Sequence, residues 1–274
     1  FFAQAAKSLQ PAVAANPALA PRLRQLGVLA AATQDVTLNT DQSGFGFAPI
    51  VGAHFRSKYI DLAAKYEFRT RIAFENESAN SASANNLTSL AAYKDDAQVR
   101  SDIPALLTVG AQVRPIEGLR LNLGYHQYFD KQAKSGVKGA YRNELLKGGT
   151  KEYLFGAEYD LTKKWEISAG VQRTVYPNTN EYMNDLTFTT NSTSLGLGVG
   201  YQVNEKVKVN AGYFKTFYDT YNKVSQNYNN VANIIGLAEG ADRALQLVES
   251  GAVKGSDTFT RTNQVFGLGV ELTF

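Results

Sequence analysis

The side chains able to do chemistry in this chain are few, and most are charged residues spaced two apart. Arg69, Arg71 and Arg120 stand out, because a guanidinium grips a carboxylate through two parallel N–H···O bonds. Asp61, Lys65, Glu67, Glu158, Glu166, Lys208 and Glu271 occupy the same alternate positions. Charges shielded from water need partners, so each arginine is either a member of an ion-pair network or a clamp for an acidic ligand. His126 and Asn122 are four apart, a spacing that joins side chains on a helix but not along a strand. No serine is placed to complete a nucleophile arrangement. The chain has 0 Cys and 2 His, which removes thiol chemistry, disulfides and Cys-ligated metals and leaves little for an imidazole site. Leu195-Gly196-Leu197-Gly198-Val199-Gly200 alternates as a strand does and is no phosphate cradle. The expectation is a protein without catalysis, metal or cofactor.

These charges must be positioned by strands. From Gly44 onward apolar residues recur every second position, as in Leu119-Arg120-Leu121-Asn122-Leu123 and Trp165-Glu166-Ile167-Ser168-Ala169. Nine such segments are predicted, near 44–56, 58–75, 103–114, 118–130, 151–161, 164–176, 186–202, 205–219 and 261–274. They are longer than the roughly 5–6 residues usual in soluble proteins. Short turns at 56–58, 115–117, 161–163 and 203–205 alternate with long polar loops at about 76–102, 131–150, 177–185 and 220–260. That asymmetry, with one apolar face and one small or charged face, is the grammar of an all-β, transmembrane antiparallel β-barrel in a Gram-negative outer membrane. Tyr125, Phe129, Tyr153, Trp165, Tyr176, Tyr213, Phe217 and Tyr221 near strand ends suit aromatic girdles at the two interfaces. Leu121, Ile167, Val209 and Val270 are expected to face lipid, and Arg120, Glu166, Lys208 and Glu271 the lumen.

Composition agrees. Charged residues are 19% of the 274, hydrophobic ones 44%, and the net charge of +3 is too small and scattered for a nucleic-acid partner. No apolar run reaches the roughly 18 residues of a membrane-spanning helix. Residues 1–43 differ from the rest: Leu9, Val13, Leu19, Leu23, Leu26 and Leu29 lie near helical spacing, and Pro11, Pro17 and Pro21 are expected to break them into short helices. Two regions result, 1–43 as an extracellular helical region and 44–274 as barrel strands. If the first strand descends to a short periplasmic turn, residues 1–43 begin outside the cell. An odd strand number of nine then predicts further strands upstream.

Several stretches resemble the FadL-type outer-membrane transporters of long-chain fatty acids and hydrocarbons, in the style of their Bacteroidetes members. They are Gly44-Phe45-Gly46-Phe47-Ala48-Pro49-Ile50-Val51-Gly52, Lys65-Tyr66-Glu67-Phe68-Arg69-Thr70, Val99-Arg100-Ser101-Asp102-Ile103-Pro104-Ala105-Leu106-Leu107, Gly124-Tyr125-His126-Gln127-Tyr128-Phe129-Asp130 and Phe259–Gly267. The resemblance covers residues 40–274. It implies a fourteen-stranded barrel around an N-terminal hatch, of which this chain would be the C-terminal portion. It also implies passive transport of hydrophobic small molecules, or a scaffold role in an outer-membrane protein complex such as type 9 secretion. Extracellular helices would form an apolar capture groove, to which Leu19, Leu23, Leu26 and Leu29 and the loop residues Val231, Ile234, Ile235 and Leu237 could contribute. Apolar residues interrupting the polar lumen face, Ile50, Leu106, Leu154, Phe188 and Phe214, suit a hydrophobic conduit, or packing against a hatch. Arg69, Arg71 or Arg120 could hold a fatty-acid carboxylate. Phe266, Leu268, Val270, Leu272 and the terminal Phe274 resemble the signal read by the barrel assembly machinery. The lipid bilayer is the remaining partner.

Overall fold

A computed structural model describes residues 1–81, 88–184 and 188–273. They divide into two compact units. The larger comprises Gln42–Glu75, Ala97–Tyr221 and Phe259–Phe274. It is built on β1 (Ile50–Arg56), β2 (Ile60–Glu67), β3 (Leu106–Val113), β4 (Leu119–Tyr128), β5 (Lys151–Asp160), β6 (Trp165–Val175), β7 (Ser192–Asn204), β8 (Val207–Tyr218) and β9 (Thr262–Leu272). These form one nine-stranded antiparallel sheet in which sequence neighbours are sheet neighbours, with β1 and β9 at its edges. Short strands at 73–78, 99–101 and 135–137 decorate the long connections.

Register turns the alternation of each strand into two continuous faces. Ile167 pairs with Tyr159 on one side and Val199 on the other, Ala169 with Ala157 and Leu197, and Val171 with Phe155 and Leu195. The same face continues through Leu121, Leu123 and Tyr125 to Leu62 and Phe55. In the other direction it runs through Val209, Ala211 and Tyr213 to Val270, Leu268 and Phe266. Arg120, Glu166, Lys208 and Glu271 lie on the opposite face, as the period of two requires. On the apolar face Leu123 is 57% exposed, Leu197 63% and Leu268 88%. An apolar surface this extended is far beyond what a water-soluble monomer leaves uncovered.

Four expectations need correction. The segment 44–56 becomes a strand only at Ile50, because residues 44–48 run closely beside 70–74: a Cβ on Gly44 would sit 2.7 Å from the Phe74 ring. The segment 58–75 is two strands, so Arg69 and Arg71 lie outside β2. Thr70 leaves the ladder to exchange backbone bonds with Ile103 (3.1 and 3.0 Å), and the Asp102 carboxylate accepts the Ile72 N–H at 3.2 Å. The segment 186–202 is a strand only from Ser192; Phe188 lies in the preceding connection, its ring 5.0 Å from that of Phe259, and residues 186 and 187 fall outside the described ones. Finally, Pro11 does not break its helix. It lies inside α1 (Phe2–Ala15), where the bond lost with its N–H falls on an exposed face. The break comes at Asn16, whose side chain accepts the Ala18 N–H at 3.1 Å beside Pro17.

The smaller unit comprises Phe1–Asp41, Asn76–Asp96 and Asn222–Thr258. Besides α1 it holds α2 (Ala20–Ala32), α3 (Val231–Glu239) and α4 (Ala241–Glu249). Helix α2 packs against both α1 and α3, and α3 against α4. The long loop expected at 220–260 thus contains two helices and a two-stranded ribbon, Tyr221–Ser225 with Gly255–Phe259. Gly240, at φ +98, makes the sharp turn between α3 and α4.

Candidate functional site: the inner face of the sheet

The face opposite the apolar one changes character along the strands. Near the short turns it is charged. The Arg120 guanidinium donates to Glu158 at 3.0 Å, to both oxygens of Asp160 at 2.9 Å and to Glu166 at 2.7 Å. Lys208 donates to Glu166 at 3.2 Å and is the ladder partner of Glu271. Arg114, just beyond β3, holds Asp61 through bonds of 3.1 and 2.5 Å, and Gln112 donates to Asn122 at 2.9 Å. Arg120 is thereby saturated with protein carboxylates, which leaves it no free fork for an acidic ligand.

Midway, the face turns small and apolar. Gly124 pairs with Leu154, Gly156 with Gly170, and Gly196 with Phe214. The glycines make room for the large neighbours: a Cβ on Gly124 would lie 3.3 Å from Leu154, and one on Gly196 3.6 Å from the Phe214 ring. Leu154 and Phe214 wall a shallow hollow of about 420 Å³ whose floor is Gly124, Gly156, Gly170 and Gly196 and whose polar rim includes Gln172 and Ser194.

Toward the long loops the face becomes polar again. His126 Nδ1 lies 2.8 Å from Glu152, whose other oxygen accepts from Gln172 at 3.0 Å and Thr174 at 3.2 Å. Ser194 and Thr216 share a buried bond of 3.0 Å. Ile50 and Leu106 flank Glu67 in one row, so both sit on this face, some distance along it from Leu154 and Phe214. Burial pushes the phenol of Tyr176, just past β6, above its ordinary value.

The arginines proposed for a carboxylate are thus separated. Arg69 donates to the Gln132 carbonyl and lies 3.9 Å from Asp102. That carboxylate is also held by Arg100 at 2.5 Å. Arg71 is exposed outside any strand. In the helical unit Leu19, Leu23, Leu26 and Leu29 are half-buried, while Leu237 remains 64% exposed. Phe266, Leu268, Val270 and Leu272 share the apolar face of β9; Phe274 lies outside the described residues. Sequence reasoning missed the pairing of His126 with Glu152 and of Arg120 with Asp160, because cross-strand register is not written within one strand.

No family model and no curated protein matches the chain. Solved structures do. A Pseudomonas aeruginosa FadL homologue superposes with a TM-score of 0.52 at 16% identity, over 81% of this chain and 51% of that one. The chain shares the strand fold of about half of that FadL homologue. The CymD monoaromatic hydrocarbon channel (TM-score 0.43, 15% identity, 72% and 59% covered) and the P. putida toluene transporter TodX (0.44, 11%, 73% and 51%) show weaker likeness. This chain spans about half the length of these FadL-type structures. In a membrane barrel an apolar sheet face of this extent meets lipid, which leaves the face bearing Arg120, Leu154 and His126 for the interior.

Proposed function

We propose that this chain forms channel wall in a Gram-negative outer membrane and serves the passive passage of hydrophobic small molecules, long-chain fatty acids among them. The observation that carries the reading is the apolar hollow at Leu154 and Phe214, midway along a face that is charged at one end and hydrogen-bonded through polar side chains toward the other. An aqueous pore has no use for it, since leaving apolar area in water costs roughly 25 cal/mol per Å². A hydrocarbon chain sliding along the wall would cover it. The fold likeness to a FadL homologue supports this reading. The helical unit would lie outside the cell and offer Leu19, Leu23, Leu26 and Leu29 as a capture surface. The outward row of β9 would serve recognition by the assembly machinery.

The test is uptake of a labelled long-chain fatty acid by cells making the full-length protein with Leu154→Asp and Phe214→Asp. A several-fold loss, with unchanged amounts of folded protein in the outer membrane, is the expected result. Uptake equal to the parent would remove the inner hollow from the path. Leu23→Asp with Leu26→Asp separately asks whether the helical leucines take part in capture.

A further inference from the structure

We propose that the short-turn end of the sheet binds the headgroup of an anionic phospholipid, with Lys163, Lys164 and Lys206 meeting its phosphate and Trp165 and Tyr201 lying beneath it. The inference rests on the membrane-spanning reading above.

The two turns concerned are neighbours, because β6 and β7 pair directly. The Gln202 N–H donates to the Lys164 carbonyl at 2.8 Å and ties one turn to the strand leading into the next. Both turns are shaped by their own side chains. Thr162 Oγ1 accepts from the N–H groups of Lys164 and Trp165 at 3.2 and 3.1 Å, and Asn204 Oδ1 accepts from that of Lys206 at 2.9 Å. The three lysines are therefore presented from ordered backbone.

Their charge is free. Lys163, Lys164 and Lys206 are all exposed, and among the described residues none forms an ion pair. The carboxylates nearest in sequence, Asp160 and Glu166, are engaged by Arg120 and Lys208 on the inner face. Within these turns Glu205 opposes the three lysines, and Glu117, Asp160 and Glu166 line the same hollow as Lys163 and Lys164 without an ion pair to them. Just below, on the lipid face, Trp165 and Tyr201 are ladder partners with ring centroids 4.5 Å apart, and Trp165 is 46% exposed. Leu161 and Val203 extend the apolar surface beside them. The order along the outer wall is apolar, then aromatic, then cationic. A phospholipid presents acyl chain, then glycerol ester, then phosphate, in the same order. Tryptophan and tyrosine settle at the ester level, and each lysine near an anionic surface adds attraction on the scale of a few-fold in affinity. Short turns face the periplasm, so the ligand is a glycerophospholipid of the inner leaflet.

Trp165 is the one tryptophan in the chain, and it makes the site its own reporter. Full-length protein and its Trp165→Phe variant are reconstituted in bilayers containing either phosphatidylglycerol or phosphatidylcholine with brominated acyl chains, and the quenching that the variant loses, which is that of Trp165, is read against mole fraction. The expected result is quenching by both lipids, with association at least about fivefold stronger for phosphatidylglycerol. The preference should vanish in K163Q/K164Q/K206Q and in about 0.5 M salt, where charges are screened within a few ångströms. Equal quenching by the two lipids in the parent protein would overturn the headgroup site while leaving the membrane reading intact. So would a preference that survives loss of the lysines. Absence of quenching by either lipid would overturn the membrane reading itself.

Discussion

Arg120 shows how the inner wall pairs its charges. One guanidinium serves Glu158, Asp160 and Glu166, and Lys208 of β8 shares Glu166, so two cations meet three carboxylates. Truncating it in Arg120→Met leaves three carboxylates crowded on one wall. The four side chains are between 24% and 42% exposed, so water screens part of the loss, which should come to about 1 kcal/mol. Urea unfolding of the full chain in lipid measures it, and a loss below about 0.5 kcal/mol would mean that water already screens these pairs. A second pair lies at the opposite end. Arg173 donates to both oxygens of Asp219, at 3.1 and 2.6 Å, and these bonds hold the Asp219 carboxyl below its ordinary value. A depressed folded pKa means stability that is present above the unfolded value of about 3.9 and lost as pH falls through the folded one. With Asp219 48% exposed, the pair is worth about 0.5 kcal/mol. Asp219→Asn should therefore lower stability at pH 7 by that amount and leave it unchanged near pH 2. An equal deficit at both values would assign the loss to packing instead of charge.

At the scale of elements, the nine long strands were legible because each keeps a period of two, and the first eight are joined in pairs by four short turns. What was not legible lay where that local signal competes with a distant contact. Arg69 and Arg71 continue the alternation of β2 on paper, yet Thr70 pairs with Ile103, thirty-three positions away. Phe188 looks like a strand residue until the ring of Phe259 takes it. The helices α3 and α4 are 9 residues each and meet at Gly240, too short for a helical period to stand out. The same dependence on partners makes one glycine testable. A Cβ on Gly149 would fall on the carbonyl oxygen of Tyr128, just where Tyr128 N–H donates to Thr150 at 2.9 Å. Gly149→Ala must move backbone, and overpacking of this kind costs about 1–3 kcal/mol. Gly267→Ala, where nothing lies within 4 Å of the added carbon, is the control. Similar losses for both would show that the chain near Gly149 yields without strain.

For the whole molecule the decisive property is that its two sheet faces prefer different solvents, and the preference should vary with depth. Leu197 lies on the outer face between Ala169 and Tyr213, well within the lengths of β7 and its neighbours, and is 63% exposed. Val203 shares that face's direction but sits at the end of β7, beside the register shift between Gln202 and Asn204. An arginine facing hydrocarbon at the bilayer midplane costs about 2–4 kcal/mol, falling to about 0–1 near the interface. Leu197→Arg should therefore reduce folding stability in lipid bilayers by the larger amount, and Val203→Arg by the smaller. A soluble sheet gives another ordering: both arginines reach water, and exposed substitutions stay within about 0.5 kcal/mol. Arginine in place of Gly198, on the inner face, meets a third environment. The Ser168 hydroxyl already occupies the space a Cβ would take there, so that loss is steric and should appear equally with leucine. Stability measured for the three arginine variants and for Gly198→Leu in thick and thin bilayers separates these causes, because only the cost at Leu197 should change with bilayer thickness. Losses at Leu197 and Val203 that were equal and indifferent to thickness would mean that lipid does not cover this face.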